Sequence, residues 1–234
     1  LLKDIKTLQT IHNLPFMGEG TQPILKKYNL PPLEDPDLPL WARQLPFALG
    51  LAKADEIVAV SPTYAQEIWT PAFGNSLEKF LEKRKETITG ILNGIDTIKW
   101  DPAEDQFIEH CYTSENLQVR KINKETIQSI LSLNVDEALP LLIMISRLDR
   151  QKGIELILDG LRSVRDLAWQ AVLLGTGNTN LENACIALES DMPDRVRAVM
   201  RFDKKLAHQL FSAGDILMMP SLYEPCGTSQ MIAM

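Results

Sequence analysis

Residues 141–174 have the sequence LLIMISRLDRQKGIELILDGLRSVRDLAWQAVLL, and this segment indicates the fold class of the chain. Residues 141–146 form an apolar run of strand length, residues 153–164 carry apolar side chains at helical spacing, and residues 169–174 are a second apolar run. The same alternation continues to the end of the chain, with helices predicted near residues 181–188 and 206–211 and strands at residues 196–202 and 215–221. Near-continuous apolar strands that alternate with helices are typical of a parallel, doubly wound α/β sheet.

The segment SLYEPCGTSQ, residues 221–230, follows the last of these strands and precedes another apolar run. It places a carboxylate, a proline turn and a glycine at the carboxyl end of a strand, where open α/β sheets bind ligands. The next helix suits a phosphate there, because its first amides point outward unpaired and its dipole adds partial positive charge. Glu224 would repel a phosphate alone, so it favours a ligand that also carries hydroxyl groups or a developing cation. A phosphate site next to a carboxylate therefore suggests that the ligand is a sugar nucleotide.

Two cations and two glycines follow the earlier strands of this half. Arg147 and Lys152 lie in the loop after its first strand, where a guanidinium fork and an ammonium point charge suit a diphosphate. An exposed basic turn is the alternative, and the loop is not a Walker A motif because the glycine-rich phosphate cradle is absent. Gly175, Thr176 and Gly177 end the second strand and bring backbone close to any ligand, although a left-handed turn before a helix also explains them.

The N-terminal part is less regular. Strands are predicted at residues 7–11 and 56–60, and helices at residues 41–52, from Ser61 onward and at residues 79–86. His12 follows the first strand and is either catalytic or structural, and Asn93 lies in a segment rich in turn formers, residues 92–102. We therefore place a domain boundary near residue 105, which gives domains at residues 1–105 and 106–234.

Bulk composition excludes several classes of protein. A net charge of −7 argues against a nucleic-acid-binding surface, and no apolar run approaches the roughly 20 residues that span a bilayer. The three cysteines are widely spaced without a CxxC pair, which argues against a disulfide framework or zinc site and favours a reducing compartment. The histidines are too scattered to suggest a metal cluster. The cysteines are Cys111, Cys185 and Cys226, and the histidines are His12, His110 and His208.

Together the segments resemble the bacterial glycogen synthase and plant starch synthase family, which are retaining glycosyltransferases of the GT-B fold. The matching segments, in the order of the family, are TIHNLPFMG (residues 10–18), KADEIVAVSPTYAQEI (53–68), ILNGIDTIKWDP (91–102), SRLDRQKG (146–153), LLGTGN (173–178) and PSLYEPCGTSQMIAM (220–234). The resemblance implies two Rossmann-like domains with parallel sheets. Residues 1–105 would be the later part of the acceptor-side domain and residues 106–234 the nucleotide-sugar-binding domain, and we expect both to be incomplete in this chain.

The resemblance also implies roles for individual residues. Arg147 and Lys152 would bind the diphosphate of ADP-glucose, Glu224 would lie beside the donor glucose, and His12 would approach that sugar from the N-terminal domain. These four are the expected catalytic residues. The expected substrate-binding residues are Asn93, Gly175, Thr176, Gly177, Phe202, Cys226, Gly227, Thr228 and Ser229. Phe202 stands where the family often has tyrosine, so stacking on adenine is kept while a hydroxyl is lost.

The implied reaction transfers glucose from ADP-glucose to the non-reducing end of an α-1,4-glucan, glycogen or starch, with retention. We expect no cofactor, no metal ion, no nucleic-acid partner and no membrane partner. The location would be the bacterial cytoplasm or a plastid, of which the cytoplasm is favoured. Two alternatives remain open. One is another GT-B transferase with a different donor, and the other is a nucleotide- or glucan-binding fragment without catalytic activity.

Overall fold

A computed structural model describes residues 5–31 and 34–234. Contacts divide the chain into two compact units, Leu1–Gly94 and Ile95–Met234. The start of the predicted first domain, at residues 1–4, lies outside the described residues. Each unit is an α/β arrangement around a parallel sheet, as the sequence predicts.

The division after Gly94 precedes the predicted boundary near residue 105, and packing explains the difference. The Trp100 ring stacks on His208, with ring centroids 3.8 Å apart, and the Asp105 carboxylate bonds to the same imidazole. A turn-rich composition marked this segment as a linker, but its aromatic and acidic side chains attach it to the second unit.

The first unit contains a sheet of order β1-β2-β3, in which neighbouring strands are parallel. Its strands are β1 (Leu8–Ile11), β2 (Glu56–Ala59) and β3 (Ile88–Gly90), and its helices are α1 (Gln22–Lys27), α2 (Pro46–Lys53), α3 (Pro62–Glu67) and α4 (Glu78–Lys83). The predicted helix start at Ser61 is confirmed, because its hydroxyl accepts a hydrogen bond from the Tyr64 amide at 3.0 Å.

Two features of the first unit differ from the sequence-based expectation. The helix predicted at residues 41–52 begins only at Pro46, because a proline is favoured in the first turn of a helix and lacks the amide that an interior position needs. Strand β3 was not predicted; it is only three residues long and, among the strands that the structure describes, pairs with β2 alone. A strand this short leaves little periodicity to detect.

The second unit contains a parallel sheet of order β6-β5-β4-β7. Its strands are β4 (Leu141–Ile145), β5 (Gln170–Leu174), β6 (Val196–Val199) and β7 (Ile216–Leu217), and its helices are α5 (Arg120–Ile130), α6 (Ile154–Ser163), α7 (Thr179–Asp191), α8 (Lys204–Ala213) and α9 (Thr228–Ala233). The chain proceeds from β4 outward to β5 and β6 and then returns to place β7 on the other side of β4. This reversal creates a topological switch point between β4 and β7.

Both faces of this sheet are covered. Along β5, Ala171 and Leu173 pack in a cluster with α6 and α7, whereas Val172 and Leu174 pack in a second cluster with α5 and α8. Successive side chains of a strand point to opposite faces, so a strand buried on both sides is apolar throughout. This explains why β4 and β5 were predicted correctly.

The last strand is shorter and more exposed than the sequence predicts. Residues 215–221 are apolar enough for a buried strand, but β7 covers only Ile216–Leu217, and the Ile216 side chain is 51% exposed. In the described sheet β7 lies at the edge and pairs only with β4, and Pro220 lacks the amide that would extend the ladder. Among the described helices, none is both long and apolar enough to cross a bilayer.

Candidate functional site

Four loops of the second unit meet at one edge of its sheet. All four strands are parallel, with Ile145 paired to Leu174 and Leu174 to Val199, so their carboxyl ends lie at the same edge. The loops that leave this edge carry Arg147 after β4, Gly175 after β5, Phe202 after β6 and Glu224 after β7. The structure therefore brings Arg147, Gly175, Phe202 and Glu224, which the sequence predicts for a nucleotide-sugar site, to one edge of this sheet.

Lys152 and Glu224 form the central contact at the switch point. The Lys152 ammonium donates to Oε2 of Glu224 at 2.7 Å, and the two side chains are only 18% and 24% exposed. Partial burial weakens solvent screening, so this pair interacts more strongly than a surface ion pair. The loop after β4 thus supplies the cation and the loop after β7 the carboxylate.

Backbone contacts hold these two loops against each other. The Leu222 amide donates to the Gln151 carbonyl at 2.8 Å, and the Gln151 side chain donates to the Tyr223 carbonyl at 3.2 Å. A further constraint orients Lys152 itself, because its amide donates to the Asp149 carboxylate at 3.2 Å. The lysine and the glutamate therefore sit on a common, hydrogen-bonded frame.

Ser221 adds a second contact to the Glu224 carboxylate. Its hydroxyl donates to Oε2 at 3.0 Å, so Lys152 and Ser221 share one carboxylate oxygen. A small crevice at this point is lined by side chains from both loops and from the start of α9, including Lys152, Ser221 and Ser229. Ser221 was not predicted as a site residue, although it is the first residue of the segment at residues 221–230 that carries Glu224.

Arg147 lies at the rim of the site. Its guanidinium forms an ion pair with Asp149 at 3.0 Å, and its side chain is 58% exposed. A long side chain at this exposure has the freedom to reach toward a ligand at the sheet edge. Arg147 and Lys152 therefore lie on one loop, as predicted, and Lys152 is the cation that forms the ion pair with Glu224 described above.

The loop of Gly175, Thr176 and Gly177 is packed tightly against the loop after β4. A side chain on Gly175 would collide with the Ser146 carbonyl, and one on Gly177 would collide with the Leu148 carbonyl. The Leu148 amide donates to the Thr176 carbonyl at 3.0 Å. The positive-φ glycines are Gly18, Gly153 and Gly227, so the left-handed turn that was considered for this loop is wrong. Close backbone approach requires these glycines.

Glu182, on the first turn of α7, fixes the same loop and was not identified from the sequence. One oxygen of its carboxylate accepts from the Thr176 hydroxyl at 2.6 Å and from the Gly177 amide at 2.8 Å. These hydrogen bonds hold the pKa of Glu182 below its usual range. A carboxylate in the first helical turn, just after the Asn178 cap, was the available sequence signal.

The remaining predicted ligand contacts of this unit flank the two central loops. Phe202 follows β6 and is 85% exposed, so its ring is accessible for stacking. Cys226 is a half-buried free thiol, and Gly227 has a φ of +81° and begins α9, whose first residues are Thr228 and Ser229. Their proposed contacts with a nucleotide stay predictions.

His12 and Asn93 belong to the first unit. His12 is exposed directly after β1, and the Asn93 amide donates to the Val60 carbonyl at 3.3 Å, beyond the end of β3. Both therefore lie at the carboxyl edge of the parallel sheet β1-β2-β3. Their catalytic and sugar-binding roles also stay predictions.

Other possible sites are distinct from this edge. A cavity of about 370 Å³ in the second unit lies near Trp100, Tyr112 and Arg120 and contains none of the predicted site residues. Within the described residues, no group of three or more His, Cys, Asp or Glu side chains is arranged to hold a metal ion.

Comparison with known proteins identifies both halves of the chain. Residues 1–83 match the family of the starch synthase catalytic domain, and residues 125–234 match the glycosyl transferases of group 1. The chain is 41% identical to the glycogen synthase of Lactiplantibacillus plantarum, over 99% of this chain and 49% of that protein. It is 40% identical to the glycogen synthase of Aromatoleum aromaticum, over 96% of this chain and 46% of that protein.

Solved structures give the same result. The catalytic domain of starch synthase IV from Arabidopsis thaliana, bound to ADP and acarbose, matches with a TM-score of 0.86 and 31% identity, over 97% of this chain and 48% of that chain. A glycosyltransferase from Rickettsia africae shares the fold at a TM-score of 0.54 and 17% identity. The chain spans about half the length of the glycogen synthases that it matches. The chain therefore belongs to the glycogen synthase and starch synthase family of glycosyltransferases, which has the GT-B fold.

Proposed function

We propose that the protein carrying this sequence transfers glucose from ADP-glucose to the non-reducing end of an α-1,4-glucan, with retention of configuration. The observation that carries the proposal is the contact of Lys152 with Glu224 at the β4/β7 switch point, at 2.7 Å. Open α/β sheets bind nucleotides at such a point, and a cation next to a carboxylate there suits a ligand with both a phosphate and a sugar. The glycogen synthase relatives support the same assignment.

Lys152 and Arg147 would act on the leaving group. Negative charge builds on the diphosphate as its bond to glucose breaks, and a fixed cation beside it stabilises that charge without reorganisation. Lys152 is well placed because its loop is held to the loop after β7 by two hydrogen bonds through Gln151. Arg147 would supply a bidentate fork once it turns from Asp149 toward the phosphates.

Glu224 would act on the sugar side of the same bond. Its Oε2 is held by Lys152 and Ser221, which leaves Oε1 to face a ligand. A carboxylate at this place accepts hydrogen bonds from sugar hydroxyls and stabilises positive charge that develops on the sugar ring. His12 would approach the same sugar from the first unit, and Asn93 would contact the sugar region.

Donor choice and cofactor requirement form part of the proposal. The exposed ring of Phe202 would stack on the adenine, since an aromatic face binds a base without reading its edges. We expect transfer to need no metal ion, because Lys152 and Arg147 supply positive charge at the diphosphate. The free thiols of Cys111, Cys185 and Cys226 fit a reducing compartment, and we expect the bacterial cytoplasm.

The test is incorporation of labelled glucose into glycogen from ADP-glucose and, in parallel, from UDP-glucose. Lys152→Ala should lower the transfer rate by about a hundredfold or more, as loss of one preorganised donor does. Lys121→Ala is the matched control, because Lys121 also pairs with a glutamate, Glu137, but on an exposed surface. A preference for UDP-glucose would correct the donor, and no incorporation from either donor would contradict the proposal.

A further inference from the structure

The contacts of Glu224 are concentrated on one of its two carboxylate oxygens. Oε2 accepts from the Lys152 ammonium at 2.7 Å and from the Ser221 hydroxyl at 3.0 Å. Across the described part of the chain, Oε1 accepts no hydrogen bond. The carboxylate is therefore fixed from one side and open on the other.

A diphosphate that binds at this edge changes the relative importance of the two contacts of Glu224, which are those with Lys152 and Ser221. The phosphate and the Glu224 carboxylate both attract the Lys152 ammonium, while they repel each other. As the ammonium turns toward the phosphate, Glu224 loses its charged partner and keeps only the Ser221 hydroxyl. A half-buried carboxylate without any partner costs free energy, so the remaining hydrogen bond gains importance.

We infer that Ser221 is a positioning residue, whose hydroxyl holds the Glu224 carboxylate in place while the Lys152 ammonium moves from Glu224 to the donor diphosphate. This inference rests on the proposed function of the site. The backbone of both loops is joined at Gln151 and Leu222, so the exchange involves side chains rather than loop movement. Ser221 thereby keeps Oε1 aimed at the sugar throughout donor binding.

The inference is tested by calorimetric titration of ADP into the protein. ADP has a diphosphate but no glucose, so its affinity reports the release of Lys152 from Glu224 without contacts between Glu224 and sugar. Glu224→Gln should bind ADP about tenfold more tightly, because a neutral amide holds the ammonium more weakly than a carboxylate does and does not repel the phosphates. Ser221→Ala should bind ADP about fivefold more weakly, the size expected for one modest hydrogen bond.

Two further variants separate a positioning role from a structural one. Ser221→Thr keeps the hydroxyl and should restore ADP affinity to within about twofold of the unmodified protein. The double variant Ser221→Ala with Glu224→Gln should bind ADP like Glu224→Gln alone, because no carboxylate remains to be held. Thermal unfolding of each variant checks that the fold is intact.

Each contrary result has a distinct meaning. If Ser221→Ala weakens ADP binding equally with and without the Glu224 carboxylate, Ser221 acts on the fold or on the ligand directly and the inference is wrong. Unchanged ADP affinity in Glu224→Gln overturns it as well. A protein that binds no ADP at all contradicts the proposed function itself, and the inference falls with it.

Discussion

The carbonyl of Pro220 lies against the α-carbon of Gly153, and no side chain fits between them. Gly153 has a φ of +64° and stands at the start of α6, directly after Lys152, whereas Pro220 precedes the loop that carries Glu224. The close approach of these two backbones sets the distance between the cation and the carboxylate of the site.

Gly153→Ala should therefore damage both stability and binding. The added methyl group meets the Pro220 carbonyl in a left-handed backbone conformation, so we expect a loss of about 2 kcal/mol or more in the free energy of unfolding. Gly160→Ala is the control, because Gly160 lies within α6 with no atom near its missing side chain, and alanine there should stabilise by about 0.5–1 kcal/mol. Urea denaturation measures both, and an equal effect of the two substitutions would contradict the role of the Gly153–Pro220 contact.

The Glu182 contact predicts a pH-dependent contribution to stability. Hydrogen bonds from Thr176 and Gly177 lower the pKa of Glu182 in the folded protein. A lowered pKa means that folding favours the ionised form of Glu182. The ionised carboxylate therefore stabilises the folded protein above the usual pKa of 4.5, and this stabilisation is lost as the pH falls through the pKa of Glu182 in the folded protein. The difference in melting temperature between the unmodified protein and Glu182→Gln should be constant near neutral pH. It should shrink as the pH falls below 4.5 toward the lowered pKa of Glu182 in the folded protein.

A difference that stays constant down to the acid limit of the measurement would show that the carboxylate charge is not what holds the loop. The same pair of proteins offers a second readout, because Thr176 and Gly177 are predicted to line the nucleotide site. Weaker ADP binding by Glu182→Gln at neutral pH would connect the shape of this loop with the ligand.

Phe202 should contribute to nucleotide affinity and not to stability. Its ring is 85% exposed, so truncation to alanine should change the free energy of unfolding by less than about 0.5 kcal/mol. Loss of a stacking partner for adenine should weaken ADP binding by about tenfold, while Phe202→Tyr should keep the affinity. Calorimetry on the three proteins decides the matter; equal affinities would place the adenine elsewhere.

The buried pair of His208 and Asp105 should be a main support of the second unit. The imidazole Nδ1 lies 2.5 Å from the carboxylate, and the two side chains are 1% and 7% exposed. His208→Ala removes the ring beneath Trp100 and leaves Asp105 without this partner, so we expect a loss of about 3 kcal/mol. Substitution of the exposed His110 by alanine is the matched control and should change the unfolding free energy by less than about 0.5 kcal/mol.

Chelation should leave glucose transfer unchanged. Lys152 and Arg147 are proposed to stabilise the leaving diphosphate, so removal of divalent cations should alter neither donor affinity nor the transfer rate. Transfer is measured after dialysis against EDTA, with a parallel sample to which magnesium is returned. A rate that falls on dialysis and recovers with magnesium would mean that a metal ion shares this role.

The sheet of the second unit could be predicted because its central strands are buried on both faces. Leu141–Ile145 and Gln170–Leu174 read as continuous apolar runs for that reason. The segment at residues 215–221 is equally apolar, yet only Ile216–Leu217 forms a strand. Strand length there depends on pairing with β4 and on neighbouring strands, and neither is visible in the local pattern.

The sequence pattern predicts that the candidate site residues of the second unit lie at one sheet edge, but it does not predict the contacts between them. Lys152 and Glu224 are 72 positions apart, and their approach follows from the strand order, which a periodicity does not report. The resemblance to a known family indicated loops of the second unit that the structure brings to one sheet edge, and the roles of their residues stay predictions. It did not reveal that Ser221 shares an oxygen with Lys152, or that Glu182 occupies the Gly177 amide, because these are side-chain contacts within the folded loops.

The nucleotide-sugar site at the β4/β7 edge is tested by calorimetric titration of ADP-glucose into the unmodified protein, Lys152→Ala and Lys121→Ala. We expect the unmodified protein and Lys121→Ala to bind ADP-glucose with equal affinity, whereas Lys152→Ala should lose affinity by at least about tenfold, as expected for a charged contact. Equal affinity in all three proteins, or no binding by a folded protein, would contradict the assignment of the β4/β7 edge as the nucleotide-sugar site.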